Sequence, residues 1–192
     1  GYSTVAEDAQ RRMIRGFYTF CDGTEITVFN GYFPQGESRD HPIKFPAKEA
    51  FYRDLFTTLE TEYTPSDQVV IMGDFNIAPV DHDIGITDDA KKRWLRTGKT
   101  SFLPEERAWF ERLIQWGLVD SWRSVHPEVS DRYSWFDYRS RGFEDDPKRG
   151  LRIDHILVST PLMERMTDCG IDYTLRAMNK PSDHCPVWIT LE

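Results

Sequence analysis

Four short segments carry carboxylate, amide, imidazole and phenol groups that could act on a phosphate ester. In Gly73-Asp74-Phe75-Asn76, which follows an apolar run, an extended backbone would turn the Asp74 and Asn76 side chains to one side and Phe75 into the core. A carboxylate and an amide would then face one site. The alternative is an Asx turn, in which both side chains only cap backbone donors.

The second segment is Ser182-Asp183-His184, just before the last predicted strand. Asp183 can supply a hard oxygen ligand for Mg²⁺, and His184 can donate a hydrogen bond to a phosphate oxygen, which is the electrostatic help that phosphoryl transfer needs. An ordinary surface loop is the alternative, and for this tripeptide alone it is the better one.

The third segment, Arg152-Ile153-Asp154-His155, places Asp154 inside an apolar strand. A buried carboxylate requires a hydrogen-bond partner, and His184 is the candidate. An exposed aspartate on an edge strand is an equally good interpretation. In the fourth segment, Tyr32 at a strand end could offer its hydroxyl to a phosphate while Phe33 enters the core, although a half-buried tyrosine there would be ordinary.

Strands and helices must position these groups. The hairpin signal Asp22-Gly23 joins two predicted antiparallel strands, and apolar spacing predicts helices between and after the later strands. The predicted strands are 11–20, 24–32, 68–72, 153–158 and 185–191, with 171–175 weaker, and the predicted helices are 46–63 and 104–116. This mixed order without repeats predicts an α/β (α+β) layer structure in a single domain over residues 1–192.

Composition limits the function classes. The 192 residues carry a net charge of -8, which argues against nucleic-acid binding through overall basicity, so that any DNA contact requires local basic clusters and a metal ion. Three scattered cysteines suggest neither a disulfide framework nor a zinc site, which fits a reducing cytosol. The sequence contains no apolar run long enough to cross a bilayer, and no membrane contact is expected.

Taken together, the motifs NGYFPQG, GDFN, RIDHIL and SDH resemble, in this order, the exonuclease III branch of the endonuclease/exonuclease/phosphatase family. The resemblance continues through SRDHPIKFPAK, KKRWLRTGK, SFLPEER and SWFDYRS, and so covers nearly the whole chain. It implies a deoxyribonuclease I-like sandwich of two packed mixed β-sheets flanked by helices. The active site is expected where strand ends of both sheets meet.

The resemblance also implies roles for the catalytic candidates. Asp74 orients or deprotonates the attacking water, and Asn76 helps to position that water. His184, held by Asp154, hydrogen-bonds the scissile phosphate, and Tyr32 is a further phosphate contact. Such a set suits phosphodiester hydrolysis, in which positioning and charge neutralisation supply most of the catalysis.

Metal and substrate contacts follow from the same resemblance. Asp183 matches a position near the metal, expected to be Mg²⁺ with Mn²⁺ as a substitute. Trp135 and Phe136 resemble the wall of a pocket for a flipped-out abasic sugar. Core packing is the alternative for Trp135.

Basic residues are expected to contact the DNA backbone from loop-like segments, with solvated surface charge as the alternative. They are Lys91, Lys92, Arg93, Arg139 and Arg141. Trp94 could add an apolar surface for a sugar or base.

The implied function is a Mg²⁺-dependent DNA-repair nuclease of the bacterial cytoplasm. It would act as a 3′-to-5′ exonuclease on double-stranded DNA, as an abasic-site endonuclease and as a 3′-phosphatase. The alternatives are a related phosphatase or phosphodiesterase acting on inositol phosphates or lipids, and a non-catalytic DNA-binding fragment.

The sequence departs from the family pattern at its start. Family members begin with an N-terminal half that supplies an Asn and the Glu that is the principal metal ligand, and the sequence shows neither motif. We therefore expect an N-terminally truncated, incomplete sandwich whose uncovered apolar surface favours a homodimer or the missing half as partner.

Overall fold

A computed structural model describes residues 11–192, so the first ten residues of the predicted domain lie outside the described part. The strands are β1 Met13–Thr19, β2 Glu25–Tyr32, β3 Val69–Asp74, β4 Leu118–Asp120, β5 Asp154–Ser159, β6 Met166–Ile171 and β7 Val187–Leu191. The helices are α1 Lys44–Glu62, α2 Asp88–Arg96, α3 Pro104–Trp116, α4 Ser121–Val125, α5 Thr160–Met163 and α6 Tyr173–Arg176.

The strands form two sheets. Five strands pair in the order β1-β2-β3-β5-β4, and β6 pairs with β7 in a second, two-stranded sheet. Only β2 and β3 run parallel; the other pairs are antiparallel. The predicted architecture of two sheets with flanking helices is confirmed.

The large sheet is buried on both faces. On one face, Ile71 and Leu157 pack against α1 and α3 in the main aromatic and aliphatic core. On the opposite face, Val70 and Val158 pack with side chains of the small sheet, including Ile189. Because side chains alternate along a strand, every second residue of β2, β3 and β5 points into the space between the sheets.

Two predictions about local structure are wrong. The weak strand predicted at 171–175 is the end of β6 followed by α6, because the Asp172 carboxylate accepts a hydrogen bond from the Leu175 N–H and begins a helical turn. The segment carrying Lys91, Lys92 and Arg93 is α2 rather than a loop. Thr87 caps this helix at its N-terminus.

Within residues 11–192, none of the helices is both long and apolar enough to span a bilayer.

Candidate active site

Three of the predicted site residues form one row across the end of the large sheet. Tyr32 pairs in register with Asp74 on the neighbouring strand, and Asp74 pairs with Asp154 on the next. By the alternation of side chains, all three point to the face that receives the small sheet. The hydrogen-bond ladder of the sheet therefore sets the spacing of these groups.

Glycine at position 73 allows the backbones of β2 and β3 to approach closely beside this row. A Cβ atom on Gly73 would lie 1.9 Å from the Gly31 carbonyl oxygen, and the Gly73 φ of 130° disfavours any other residue. Just beyond, the Phe33 N–H donates to the Asp74 carbonyl at 2.9 Å, and the Phe75 N–H donates to the Ile153 carbonyl at 2.9 Å. These bonds fix the loop that carries Asp74.

The loop after β3 forms the Asx turn, and this turn still brings the side chains of Asp74 and Asn76 together. It is not extended, because Asn76 adopts a left-handed φ of 54°, and the Asn76 N–H donates to Asp74 Oδ1 at 2.8 Å in an Asx turn. The turn nevertheless brings the amide to the carboxylate, since Asn76 Nδ2 donates to Asp74 Oδ2 and to the Phe33 carbonyl, both at 2.9 Å. As predicted, Phe75 is fully buried.

The predicted contact between Asp154 and His184 is present. His184 Nδ1 lies 2.9 Å from Asp154 Oδ2 and 3.1 Å from Oδ1, which leaves Nε2 directed away from this carboxylate. Asp154 is held in turn by Ser134, whose buried hydroxyl accepts hydrogen bonds from the Asp154 N–H at 2.9 Å and the Ile153 N–H at 3.0 Å. His184 thus projects from a loop of the small sheet onto the row of the large sheet.

Burial and neighbouring charges shift the pKa values of Asp74 and His184. Burial and the neighbouring charge of Asp154 raise the pKa of Asp74 to about 7, against the opposing effect of His184. Burial lowers the pKa of His184, but the hydrogen bond and charge of Asp154 outweigh it and raise that pKa above its ordinary value. Near neutral pH, Asp74 can therefore both accept and release a proton.

An open groove of about 700 Å³ runs beside the row, with Met13, Asn30, Tyr32 and Asp74 in its wall. Tyr32 is 57% exposed, so its hydroxyl is accessible, and the Arg12 guanidinium lies 4.8 Å from the centre of its ring. Phe33 is fully buried, as predicted. Asp74 therefore lies in the wall of a groove that is open to solvent.

The two aromatic residues predicted to line a sugar pocket differ in position. Trp135 is half-buried, and its Nε1 donates to Asp183 Oδ2 at 3.1 Å at the edge of the site. Phe136 is fully buried and packs edge-to-face against Phe143 and Tyr173, so its predicted contact with substrate is wrong and it belongs to the core.

The basic side chains lie on exposed surface. Lys92 and Arg93 are exposed on α2, and Arg139 and Arg141 are exposed in the turns after Trp135. Trp94 is not open to a base, because it stacks on Phe102 with ring centroids 5.4 Å apart and the Lys99 ammonium lies 3.5 Å from its centroid. The basic groups, rather than Trp94, are available to a phosphate backbone.

The predicted metal site is incomplete among the described residues. Residues 11–192 contain no group of three or more His, Cys, Asp or Glu side chains arranged to hold a metal ion. Asp183 already accepts a hydrogen bond from Trp135 on one oxygen. Because Mg²⁺ requires near-octahedral oxygen coordination, these residues do not fit a complete magnesium site.

A buried ion cluster lies behind Asp154, and the sequence did not reveal it. The Arg152 guanidinium, 1% exposed, binds Asp83 through Nε at 2.7 Å and Nη2 at 3.0 Å, and binds Asp120 through Nη2 at 2.7 Å. Its Nη1 also lies 3.0 Å from His155 Nδ1. The cluster anchors the start of the strand that carries Asp154.

Two further supports escaped the sequence analysis. They are Ser134 beneath Asp154 and Lys48 beneath Asn76. For Lys48 a signal existed, because it precedes Phe51 and Tyr52 by one helical turn and so falls on the apolar face of α1. The sequence around Ser134 contains no pattern that would indicate its contact with Asp154.

Known proteins share sequence with most of this chain. The model of the Endonuclease/Exonuclease/phosphatase family matches residues 5–184. Exodeoxyribonuclease III of Haemophilus influenzae is 60% identical over 188 residues, which cover 98% of this chain and 69% of that protein. The exodeoxyribonuclease of Bacillus subtilis is 34% identical over 119 residues, or 62% of this chain and 42% of that protein.

Solved structures share the fold. A 3′ phosphatase from Neisseria bound to a product DNA hairpin superposes with a TM-score of 0.83 at 37% identity, covering 100% of this chain and 69% of that one. An AP endonuclease from Archaeoglobus fulgidus gives a TM-score of 0.81 at 30% identity, covering 96% and 68%. The chain therefore belongs to the endonuclease/exonuclease/phosphatase family, in the branch that contains exodeoxyribonuclease III.

Proposed function

We propose that this chain carries the water-activating and phosphate-binding part of a Mg²⁺-dependent DNA-repair phosphodiesterase. Its activities would be 3′-to-5′ exonuclease on double-stranded DNA, abasic-site endonuclease and 3′-phosphatase. The observation that supports the proposal best is the row of Tyr32, Asp74 and Asp154 beside an open groove, with His184 bonded to Asp154. The activities named for the Haemophilus, Neisseria and Archaeoglobus proteins support DNA as the substrate.

Water activation falls to Asp74. Its raised pKa places the ionised form in reach at neutral pH and makes that form a stronger base than an ordinary carboxylate. Asn76, which binds one oxygen of this carboxylate, restricts the rotation of the carboxylate and so helps to position the attacking water. The proton of the water passes to Asp74 as the water oxygen attacks phosphorus, and the bond to the leaving oxygen breaks.

Phosphate binding falls to His184 and Tyr32. With Nδ1 bonded to Asp154, the imidazolium presents the Nε2 proton to a phosphate oxygen and stabilises the charge that grows there. The exposed Tyr32 hydroxyl donates a second hydrogen bond. Since the groups are preorganised by the sheet, little energy is spent on orienting them during reaction.

The metal part of the proposal rests on the family resemblance. Mg²⁺, or Mn²⁺ in its place, would neutralise phosphate charge, and Asp183 is the ligand that we propose from this chain. Further oxygen ligands are needed, because the described residues offer no complete site. The roles given to Asp74, Asn76, His184 and Tyr32 do not depend on its position.

DNA binding follows from local positive charge. Lys92 and Arg93 on α2 and Arg139 in the turn region can contact backbone phosphates, while half-buried Trp135 borders the site where an abasic sugar would enter. The net charge of -8 makes this binding dependent on those local groups. The bacterial relatives support a setting in the bacterial cytoplasm.

The test is incision of a labelled duplex that contains one abasic-site analogue, in Mg²⁺ and in EDTA. We expect cleavage beside the abasic site in Mg²⁺ and none in EDTA. A duplex without the analogue measures 3′-to-5′ digestion, and a 3′-phosphorylated end measures phosphatase activity. Hydrolysis of inositol phosphates or lipid phosphodiesters without action on DNA would favour the other substrate class.

The incomplete metal cluster favours a second candidate, a chain that binds DNA without cleaving it. This alternative predicts a shift of the duplex in native gels in EDTA and an intact duplex after Mg²⁺ is added. Folded protein is verified by circular dichroism before either result is interpreted. An intact duplex would show that the residues of this chain do not suffice for cleavage and would favour the function of binding alone.

Self-association is expected at the edge strand β1. Ile14, Phe17 and Tyr18 are 68%, 69% and 61% exposed on a strand that, among residues 11–192, has a partner on one side only. Such a strand favours pairing with a second copy, and the remaining part of the family fold would compete for the same surface. Sedimentation should show a concentration-dependent dimer that Ile14→Lys weakens at least tenfold. Val125→Lys, at another exposed apolar position, should leave it intact; a wild-type monomer throughout would contradict the prediction.

A further inference from the structure

Lys48, on helix α1, lies in the interior of the protein, where lysine side chains are rare. Its side chain is fully buried, and its ammonium contacts three segments of the chain. Nζ donates to the Asn76 carbonyl at 2.9 Å, to the Gln35 carbonyl at 3.4 Å and to Glu106 Oε1. The first two oxygens belong to the loops that follow β3 and β2, the loops next to Asp74 and Tyr32.

Glu106 is the counterion, and it is equally enclosed. Its Oε2 accepts hydrogen bonds from the Ser101 and Leu103 N–H groups, each at 2.8 Å, at the N-terminus of α3. Burial lowers the pKa of Lys48 and raises the pKa of Glu106. The surrounding dipoles favour the ion pair, because two carbonyl oxygens face the nitrogen and two N–H groups face the carboxylate.

The cation controls the conformation of Asn76 through its carbonyl. Asn76 adopts a left-handed φ of 54°, which costs energy in a residue other than glycine and persists only where contacts hold it. In this structure the Lys48 ammonium binds the carbonyl, while the Asn76 N–H and Nδ2 bind the two oxygens of Asp74. Loss of the first contact would loosen the other two.

We propose that Lys48, with Glu106 as its counterion, is a positioning residue of the active site: it locks the turn at Asn76 and so fixes the Asp74 carboxylate toward the groove. Lys48 does not touch the reacting atoms. Its role for catalysis rests on the proposed function of Asp74. The same cation also favours the ionised form of Asp74, in addition to the hydrogen bond from Asn76.

The test is nuclear magnetic resonance of the 192-residue chain, which does not require activity. Lys48→Met combined with Glu106→Gln removes both charges and keeps an acceptor for the Ser101 and Leu103 N–H groups. We expect hydrogen exchange of the Asn76 N–H to accelerate at least tenfold. The midpoint of the Asp74 carboxyl titration should move upward, because the ionised form loses a cation and its hydrogen bonds.

The matched control is Arg112→Met combined with Glu60→Gln. This pair joins the same two helices with an Arg112 Nη2 to Glu60 Oε2 distance of 3.6 Å, but it is exposed. It should change neither measurement. A folded Lys48→Met/Glu106→Gln protein with wild-type exchange at Asn76 and wild-type titration of Asp74 would overturn the proposal.

If the Lys48→Met/Glu106→Gln protein does not fold, the test is made on the wild-type protein. A scalar coupling across the hydrogen bond from Lys48 ¹⁵Nζ to the Asn76 carbonyl carbon, with slow exchange of the ammonium protons, supports the proposal; fast exchange without coupling overturns it. If the wild-type chain cleaves DNA, the double variant should lower kcat and leave KM unchanged. If it does not cleave, the residues of this chain do not suffice for catalysis, and the resonance data still decide the role of Lys48.

Discussion

An Asp74→Asn variant is expected to lose about a hundred- to ten-thousand-fold in incision rate relative to the wild-type chain, which is the usual contribution of a general base. The amide keeps the size of the side chain and one acceptor for the Asn76 N–H, but it cannot take a proton from water. Gel-based incision of the abasic duplex under single-turnover conditions measures the loss. KM for the duplex should stay close to that of the wild type.

The pH dependence gives an independent check. Since burial and Asp154 raise the pKa of Asp74 to about 7 and only the ionised form is a base, the wild-type rate should rise as the pH increases through about 7. Asp74→Asn should abolish this rise. Asp168→Asn, an exposed substitution on β6, serves as the control; an Asp74→Asn protein as active as this control would refute the assignment.

Replacing Arg152 with methionine is expected to cause the largest loss of stability. Asp120 would keep its charge without the guanidinium that binds it, and Asp83, fully buried, would keep only its ion pair with Arg123. Breaking a buried ion pair by removing one partner costs about 3–5 kcal/mol, a large part of the free energy of unfolding of an ordinary domain. Urea denaturation followed by tryptophan fluorescence should show the loss as a lower midpoint.

Arg149→Met is the matched control, since Arg149 lies three residues before Arg152 in the sequence and forms an exposed ion pair with Asp145. Its effect should stay below about 0.5 kcal/mol. Burial raises the pKa of Asp120, but the charge of Arg152 outweighs it and lowers that pKa. This stabilisation is therefore present above the ordinary carboxylate pKa and is lost as the pH falls; Arg152→Met should weaken that dependence. Equal midpoints for the two variants would contradict the prediction.

The sequence predicted the elements whose patterns are periodic. The hairpin of β1 and β2 followed from alternating residues around Asp22-Gly23, and α3 followed from Pro104 and the apolar spacing up to Trp116. Helix α2 was missed because six of its nine residues are charged. Its signals were instead the cap at Thr87, acidic residues in the first turn and basic residues in the last.

Site residues were predictable only where they belong to a recognisable sequence motif. Asp74, Asp154 and His184 stand in recognisable motifs, and the bond between the last two was expected from the cost of burying a carboxylate. The roles of Lys48 and Arg152 were not predicted from the sequence. Only the three-dimensional structure shows their partners, because those partners lie far away along the chain.

The row of Tyr32, Asp74 and Asp154 also determines where the polypeptide can be lengthened. A single residue inserted into β3 would shift the register and turn Asp74 to the opposite face of the sheet, which dismantles the site without disturbing its composition. The turn at Asp22-Gly23 lies at the other end of β2, roughly 25 Å from the row at the usual rise per residue. A peptide tag or fluorescent reporter therefore belongs in that turn, where added length leaves the alignment of the strands unchanged.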